Sequence, residues 1–112
     1  MGLDQFAYKA KPNTPREEWI ETCVWRKHAN LEGYMASKYS QLNTGRIFSS
    51  EYLQLSEADI LELLDCHHTL PKASGFFWGD TDEYNIEKTQ AWLEEALADI
   101  ADGWEIWYYS WW

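Results

Sequence analysis

Gly103-Trp104-Glu105-Ile106-Trp107-Tyr108-Tyr109-Ser110-Trp111-Trp112 places six aromatic rings in ten residues. Aromatic and β-branched side chains fit a pleated, half-buried surface. A run of this length behind a glycine therefore predicts the closing strand of a sheet. Its two faces alternate, Trp104, Ile106, Tyr108, Ser110 and Trp112 against Glu105, Trp107, Tyr109 and Trp111. If helices cover one side of the sheet, the second set lies at the surface, where rings rimmed by carboxylates have the make-up of a protein-binding hot spot. Burial of both faces is the alternative.

Immediately before this run, residues 83–101 carry Ile86, Gln90, Leu93, Ala96, Leu97 and Ile100 at helical spacing. Asp82 and Glu83 favour the positive end of the helix dipole, and Gly103 can take the left-handed position that ends it. The opposite face presents Glu87, Glu94, Glu95, Asp99 and Asp102 against Lys88 alone. Gly75-Phe76-Phe77-Trp78-Gly79 reads as a short buried strand. Ser56-Glu57-Ala58-Asp59 opens a capped helix packed through Ile60, Leu61, Leu63 and Leu64, with Pro71 as its limit.

Arg46 to Leu55 predicts a strand. Asn30 can cap a helix with Leu31, Tyr34, Met35, Lys38 and Leu42 inward, Lys38 reaching outward along its stem, before Asn43-Thr44-Gly45 stops it. Thr14-Pro15-Arg16-Glu17 has the pattern of a capping box with proline at the first helical position. With Trp19, Ile20, Cys23 and Val24 it predicts a first helix, preceded by a strand over Leu3 to Lys9. The expected fold is α+β, a small mixed or antiparallel sheet of three to four strands packed with three to four helices, residues 1–112 forming one domain.

At 112 residues with 46% apolar and 25% charged content, the chain can bury a core without metals or disulfides. Cys23 and Cys66, both placed on helical segments, read as core thiols. The start Met1-Gly2-Leu3-Asp4 lacks a signal peptide's basic and apolar regions, and no run approaches a membrane span. A reducing cytoplasm is the expected setting. The charge is polarised: residues 1–50 have seven Lys or Arg against five Asp or Glu, whereas residues 51–112 have two against fourteen, for a total of −10. Such a field repels nucleic acid and anionic lipid and attracts basic surfaces. Direct nucleic-acid binding and membrane association are therefore not expected.

Asp80-Thr81-Asp82-Glu83 fails the calcium-loop register, because Asn85 stands where the turn needs Gly and Ala91 where the bidentate Glu belongs. Helix capping accounts for these acids. Cys66-His67-His68 diverge by about 100° per residue on a helix, so no metal and no cofactor are expected there. Neither a catalytic triad nor a phosphate loop is present in the sequence, and no catalytic residue is assigned. Trp25, Arg26, Lys27, His28 and Asn30 are the candidate ligand site, donors for a phosphate or carboxylate beside a stacking indole. The plainer reading makes Trp25 core and the cations surface partners of acids.

Met1-Gly2-Leu3-Asp4 with Tyr8, Trp25-Arg26-Lys27 to Asn30, Gly75-Phe76-Phe77-Trp78-Gly79 and Tyr109-Ser110-Trp111-Trp112 together resemble a group of small bacteriophage-encoded proteins. Some carry a phosphoglycerate kinase label, which a chain this short without a nucleotide loop does not support. Members often have a histidine shortly after the Asn30 position, where this chain has Leu31-Glu32-Gly33. The resemblance implies a phage origin and the cytoplasm of the infected host.

The leading functional expectation is a non-enzymatic accessory protein that binds a host or phage protein, a basic nucleic-acid-binding protein among the candidates. Its contact residues would be Glu87, Glu94, Glu95, Asp99, Asp102, Trp107, Tyr109 and Trp111, the carboxylates acting as mimics of DNA phosphates in the sharpest version. Three further readings are a small enzyme or a nucleotide- or anion-binding module at Trp25 to Asn30, a minor virion component, and a homodimer formed through an aromatic edge strand.

Overall fold

A computed structural model describes residues 2–42, 50–70 and 83–112. Four strands, β1 (Asp4–Ala10), β2 (Ile20–Arg26), β3 (Glu51–Leu55) and β4 (Glu105–Trp111), form one antiparallel sheet in the order β2-β1-β4-β3. Helices α1 (Ala29–Leu42), α2 (Glu57–Cys66) and α3 (Glu83–Ala101) complete an α+β fold. The closing strand is therefore internal, paired to β1 from Asp4↔Trp111 to Ala10↔Glu105 and to β3 from Glu51↔Ser110 to Leu55↔Ile106. With both borders paired, β4 is not an edge strand on which a second copy could add.

The first expected helix is a correction. Thr14 to Glu17 yields only a 3-10 turn over Arg16–Glu18, and Ile20 to Arg26 is a strand. Pro15, extended at ψ 145°, is the N-cap of that short turn, its carbonyl accepting from Glu18 N–H at 2.9 Å. Ile20, Thr22, Val24 and Trp25 are β-branched or aromatic and favour a pleated surface. The strand's alternation is concealed by a bulge: Ala7 pairs with Cys23 and Tyr8 with Glu21, which leaves Thr22 as an extra residue. Cys23 accordingly lies on a strand, and both cysteines are free thiols.

The other helices follow their signals. α1 begins at Ala29, one residue before the proposed Asn30 cap, and buries Leu31, Met35 and Tyr39 at four-residue spacing. The Lys38 ammonium pairs across to α2, with Asp59 at 3.1 Å and Glu62 at 3.4 Å. The Ser56 capping box forms with Asp59, Asp59 N–H donating to Ser56 Oγ at 3.1 Å and Ser56 N–H to Asp59 Oδ2 at 2.9 Å. α2 buries Ile60 and Leu63 but leaves Leu61 48% exposed, and it tightens into a 3-10 turn at His67–Thr69 before Pro71 is reached. The strand expected from Arg46 is described only from Glu51, and Gly75 to Gly79 lies outside the described residues.

α3 spans the expected residues with its apolar face rotated. Asn85, Thr89, Trp92, Leu93 and Ala96 are its buried set, because Trp92 supplies more apolar surface than Ile86 or Gln90. Gly103 N–H donates to Ile100 O at 3.0 Å and Trp104 N–H to Asp99 O at 2.9 Å, the paired bonds of a Schellman ending, with Gly103 at φ +91°. Gly103→Ala is expected to cost about 1 kcal/mol or more through backbone strain. The added methyl would meet only Lys11 Nζ at 3.7 Å, so steric crowding adds little. A lowered urea midpoint with an unchanged slope would register the loss.

All three helices cover one side of the sheet. Ala7, Trp25, Leu53, Leu55, Ile106 and Tyr108 from the strands meet Leu31, Met35, Ile60, Leu63, Trp92, Leu93 and Ala96. α3 also meets the outer border of β2, where Lys88 Nζ donates to Val24 O at 2.7 Å and Asn85 Nδ2 to Arg26 O at 3.0 Å.

Candidate interaction surface and the carboxyl behind it

Strand alternation gives β4 two different faces. Ile106, Tyr108 and Ser110 are buried under the helices, whereas Trp107 and Tyr109 are half-buried and Trp111 is 56% exposed on the other side. Registers carry this parity across the sheet, so Phe6 and Tyr8 of β1 and Tyr52 of β3 join the same open face. Trp19, from the β1–β2 connection, stacks on Trp107 with centroids 4.8 Å apart and meets Tyr52 edge-on at 5.5 Å. Tyr52 and Tyr109 approach to 4.6 Å, and Phe6 lies 6.1 Å from Tyr109. The Trp19 indole N–H donates to Thr14 O at 3.1 Å, which fixes the connection over the rings.

One end of this platform is thus roofed by Trp19 and Arg16, whose guanidinium lies 4.2 Å from the Tyr52 centroid. The other end, around Val24, Phe6, Tyr109 and Trp111, is more open, with Val24 39% exposed. Asp4, Glu21 and Glu105 share its strand positions, Asp4 opposite both Trp111 and Arg26, Glu21 opposite Tyr8, Glu105 opposite Ala10. Burial, then the neighbouring Tyr52 and the Glu21 carboxylate, push the Tyr8 phenol up, so it stays neutral.

Behind the platform lies a buried polar cluster. Glu32, in the first turn of α1, has no solvent exposure. Its Oε1 accepts from the Tyr108 hydroxyl at 2.7 Å, and its Oε2 from the Ser110 hydroxyl at 3.0 Å and the Trp112 indole N–H at 3.3 Å. Gln5 extends the chain of bonds: its Nε2 donates to Tyr108 Oη at 2.7 Å and to His28 O at 3.1 Å, while its Oε1 accepts from His28 N–H at 2.8 Å. Burial raises the Glu32 carboxyl to about 7, against the pull of its three donors. Since its ordinary value is 4.5, the folded state holds a proton that the unfolded state has lost between pH 4.5 and 7. This group's contribution to stability therefore falls as pH rises through that window and levels off above it.

The proposed ligand residues are dispersed. Trp25 is fully buried, its indole donating to Thr89 Oγ1 at 2.8 Å and meeting Trp92 edge-on at 4.9 Å. Arg26 points to the open face, 4.0 Å from Asp4, and Lys27 is an exposed junction residue at φ 59°. His28 is buried beside Gln5 and Asn30 is half-buried. The proposed contact residues also separate into two groups. Trp107, Tyr109 and Trp111 occupy the open face, whereas Glu87, Glu94 and Glu95 are exposed on α3, behind the sheet. Asp99 is engaged by Lys9 at 3.3 Å, and the Asp102 carbonyl accepts from Lys11 Nζ at 2.8 Å.

Gln5, Glu32, Tyr52, Phe6, Tyr8 and Trp19 were not among the sequence candidates. The first strand's alternation and the placing of Glu32, Met35 and Tyr39 on one side of α1 carry the signal for several of them. Burial pushes the Cys23 thiol up to about 11 and the Cys66 thiol upward, so neither is an activated nucleophile. His67 is engaged with Gln90 at 2.7 Å, and no helix among the described residues is long and apolar enough to cross a membrane. No family model, curated protein or solved structure matches the chain.

Proposed function

We propose that this chain is a non-enzymatic binding protein whose open aromatic sheet face docks a basic surface of another protein. The observation that carries the reading is the platform of Phe6, Tyr8, Trp19, Tyr52, Trp107, Tyr109 and Trp111, over which Arg16 already lies. Ring faces attract guanidinium and ammonium groups, and the contact strengthens when water is excluded. Asp4, Glu21 and Glu105 match the same class of partner. Aromatic rings on a sheet can also stack nucleobases, but a net charge of −10 opposes the phosphates that accompany them.

In the phage setting implied by the sequence resemblance, the partner is a host or phage protein in the infected cytoplasm, DNA-binding proteins included. The exposed Glu87, Glu94 and Glu95 act at long range, raising the encounter rate from the far side of the sheet. Mimicry of DNA by the α3 carboxylates is the weaker version, because Asp99 is occupied by Lys9.

Titration with an arginine-rich peptide, a glutamate-rich peptide and a single-stranded oligonucleotide tests the reading. The basic peptide alone is expected to bind, with affinity falling as salt rises. Trp111→Ala and Tyr109→Ala should each weaken it about tenfold, near 1.4 kcal/mol. Preferential binding of the oligonucleotide, or affinity indifferent to both substitutions, would end the proposal.

A further inference from the structure

We propose that Glu32 is a proton-gated clasp on the end of β4 that controls how firmly Trp111 is held on the open face, a form of regulation that rests on that face's docking role. Three successive inward-facing residues, Tyr108, Ser110 and Trp112, donate to its two carboxyl oxygens. Trp111 lies between the last two and points to the opposite side. The most exposed ring that β4 offers to the open face is therefore flanked by bonds to one buried carboxyl.

Clasped, that carboxyl is walled from water. If the strand end lifts, the carboxyl is hydrated and returns to the ordinary carboxylate range. The proton consequently prefers the clasped form, and ionisation favours release. Burial places the crossover near neutrality, where a small pH change has its largest effect.

Among the described residues, β4, β1, β3 and the approach to α1 supply groups that face Glu32. β4 contributes Tyr108, whose phenol is pushed well above 10 by burial and by Glu32 itself, together with Ser110 and Trp112. β1 contributes Gln5 through Tyr108, and β3 places Glu51 opposite Ser110. Before α1, His28 receives the Glu32 N–H on its carbonyl at 3.1 Å. Among the described residues, His28 and Glu51 are further ionisable side chains placed beside the clasp, and the Glu32→Gln variant separates Glu32 from them.

Backbone amide heteronuclear NOEs at Trp111 and Trp112, followed from pH 5.5 to 9 on the free chain, read the clasp directly. They are expected to fall through a single one-proton inflection near neutrality. In Glu32→Gln the profile should be flat. In Ser110→Ala the inflection should move to higher pH, because the carboxylate has lost a donor while its burial is kept. An unchanged inflection in Glu32→Gln would place the proton on another group and overturn the proposal. If Glu32→Gln does not fold, the Ser110→Ala midpoint decides, and a midpoint equal to the wild type overturns it. No partner is needed for these readings. A basic peptide that binds nowhere would end the docking role while leaving the clasp, and a flat wild-type profile would end the clasp while leaving the docking role.

Discussion

Removing residues 105–112 is expected to abolish folding, leaving a chain with collapsed amide dispersion and no cooperative urea transition. β4 is bonded on both sides, so its loss breaks the ladders to β1 and to β3 together. Ile106 and Tyr108 leave the core with it, and Glu32 loses three donors together with the cover that β4 gives it. Losing large buried side chains costs about 2–5 kcal/mol apiece, and the whole stability of a domain is about 5–15 kcal/mol. A truncated chain with a sharp transition and native amide dispersion would contradict the topology.

Trp25→Ala is expected to destabilise the protein by about 3–5 kcal/mol, as loss of a large buried ring does elsewhere. The indole fills the centre of the interior, between Trp92 at 4.9 Å and Tyr108 at 6.1 Å, and its N–H is bonded to Thr89. Arg26→Ala, one residue along, should change stability by no more than about 0.5 kcal/mol, since its guanidinium is exposed and only 4.0 Å from Asp4. Urea unfolding of both variants measures the contrast. Equal effects would mean that the two side chains do not point to opposite sides of the sheet.

Local punctuation was legible at α2 and α3, whereas the similar signal at Thr14 to Glu17 opened only a 3-10 turn. Ser56 with Asp59, and Gly103 after Ala101, each act within one turn, and α2 and α3 begin and end near where those residues direct. β2 was not legible for the opposite reason. A one-residue bulge at Thr22 shifts the inward positions, so Trp19, Ile20, Cys23 and Val24 imitate a helical stripe although Ile20, Cys23 and Val24 pair with Lys9, Ala7 and Phe6 of β1. The two faces of β4 could be read as alternation, but which one faces solvent depends on where three separate helices pack.

The same long-range dependence governs the candidate surface. Trp107, Tyr109 and Trp111 were visible as a set, yet Phe6, Tyr8, Trp19 and Tyr52 join them only through strand order and register. Glu32 carried no local sign of burial. Its environment is made by residues 76 to 80 positions away in sequence. The acids of α3 formed one row with the rings only when the chain was read linearly; folding turns them to the other side.

The side chains that meet the β2 border have a further consequence for solution behaviour. An unpaired strand border is a template on which other molecules can add strands end to end into insoluble arrays. Lys88 and Asn85 occupy the Val24 and Arg26 carbonyls, and Lys88 also places a charge there that would have to be stripped of water before another strand could approach. Acetylation of Lys88, or its replacement by an apolar residue, would remove that barrier while touching none of the interior, so the cost would appear as shortened shelf life at high concentration rather than as a lower melting point.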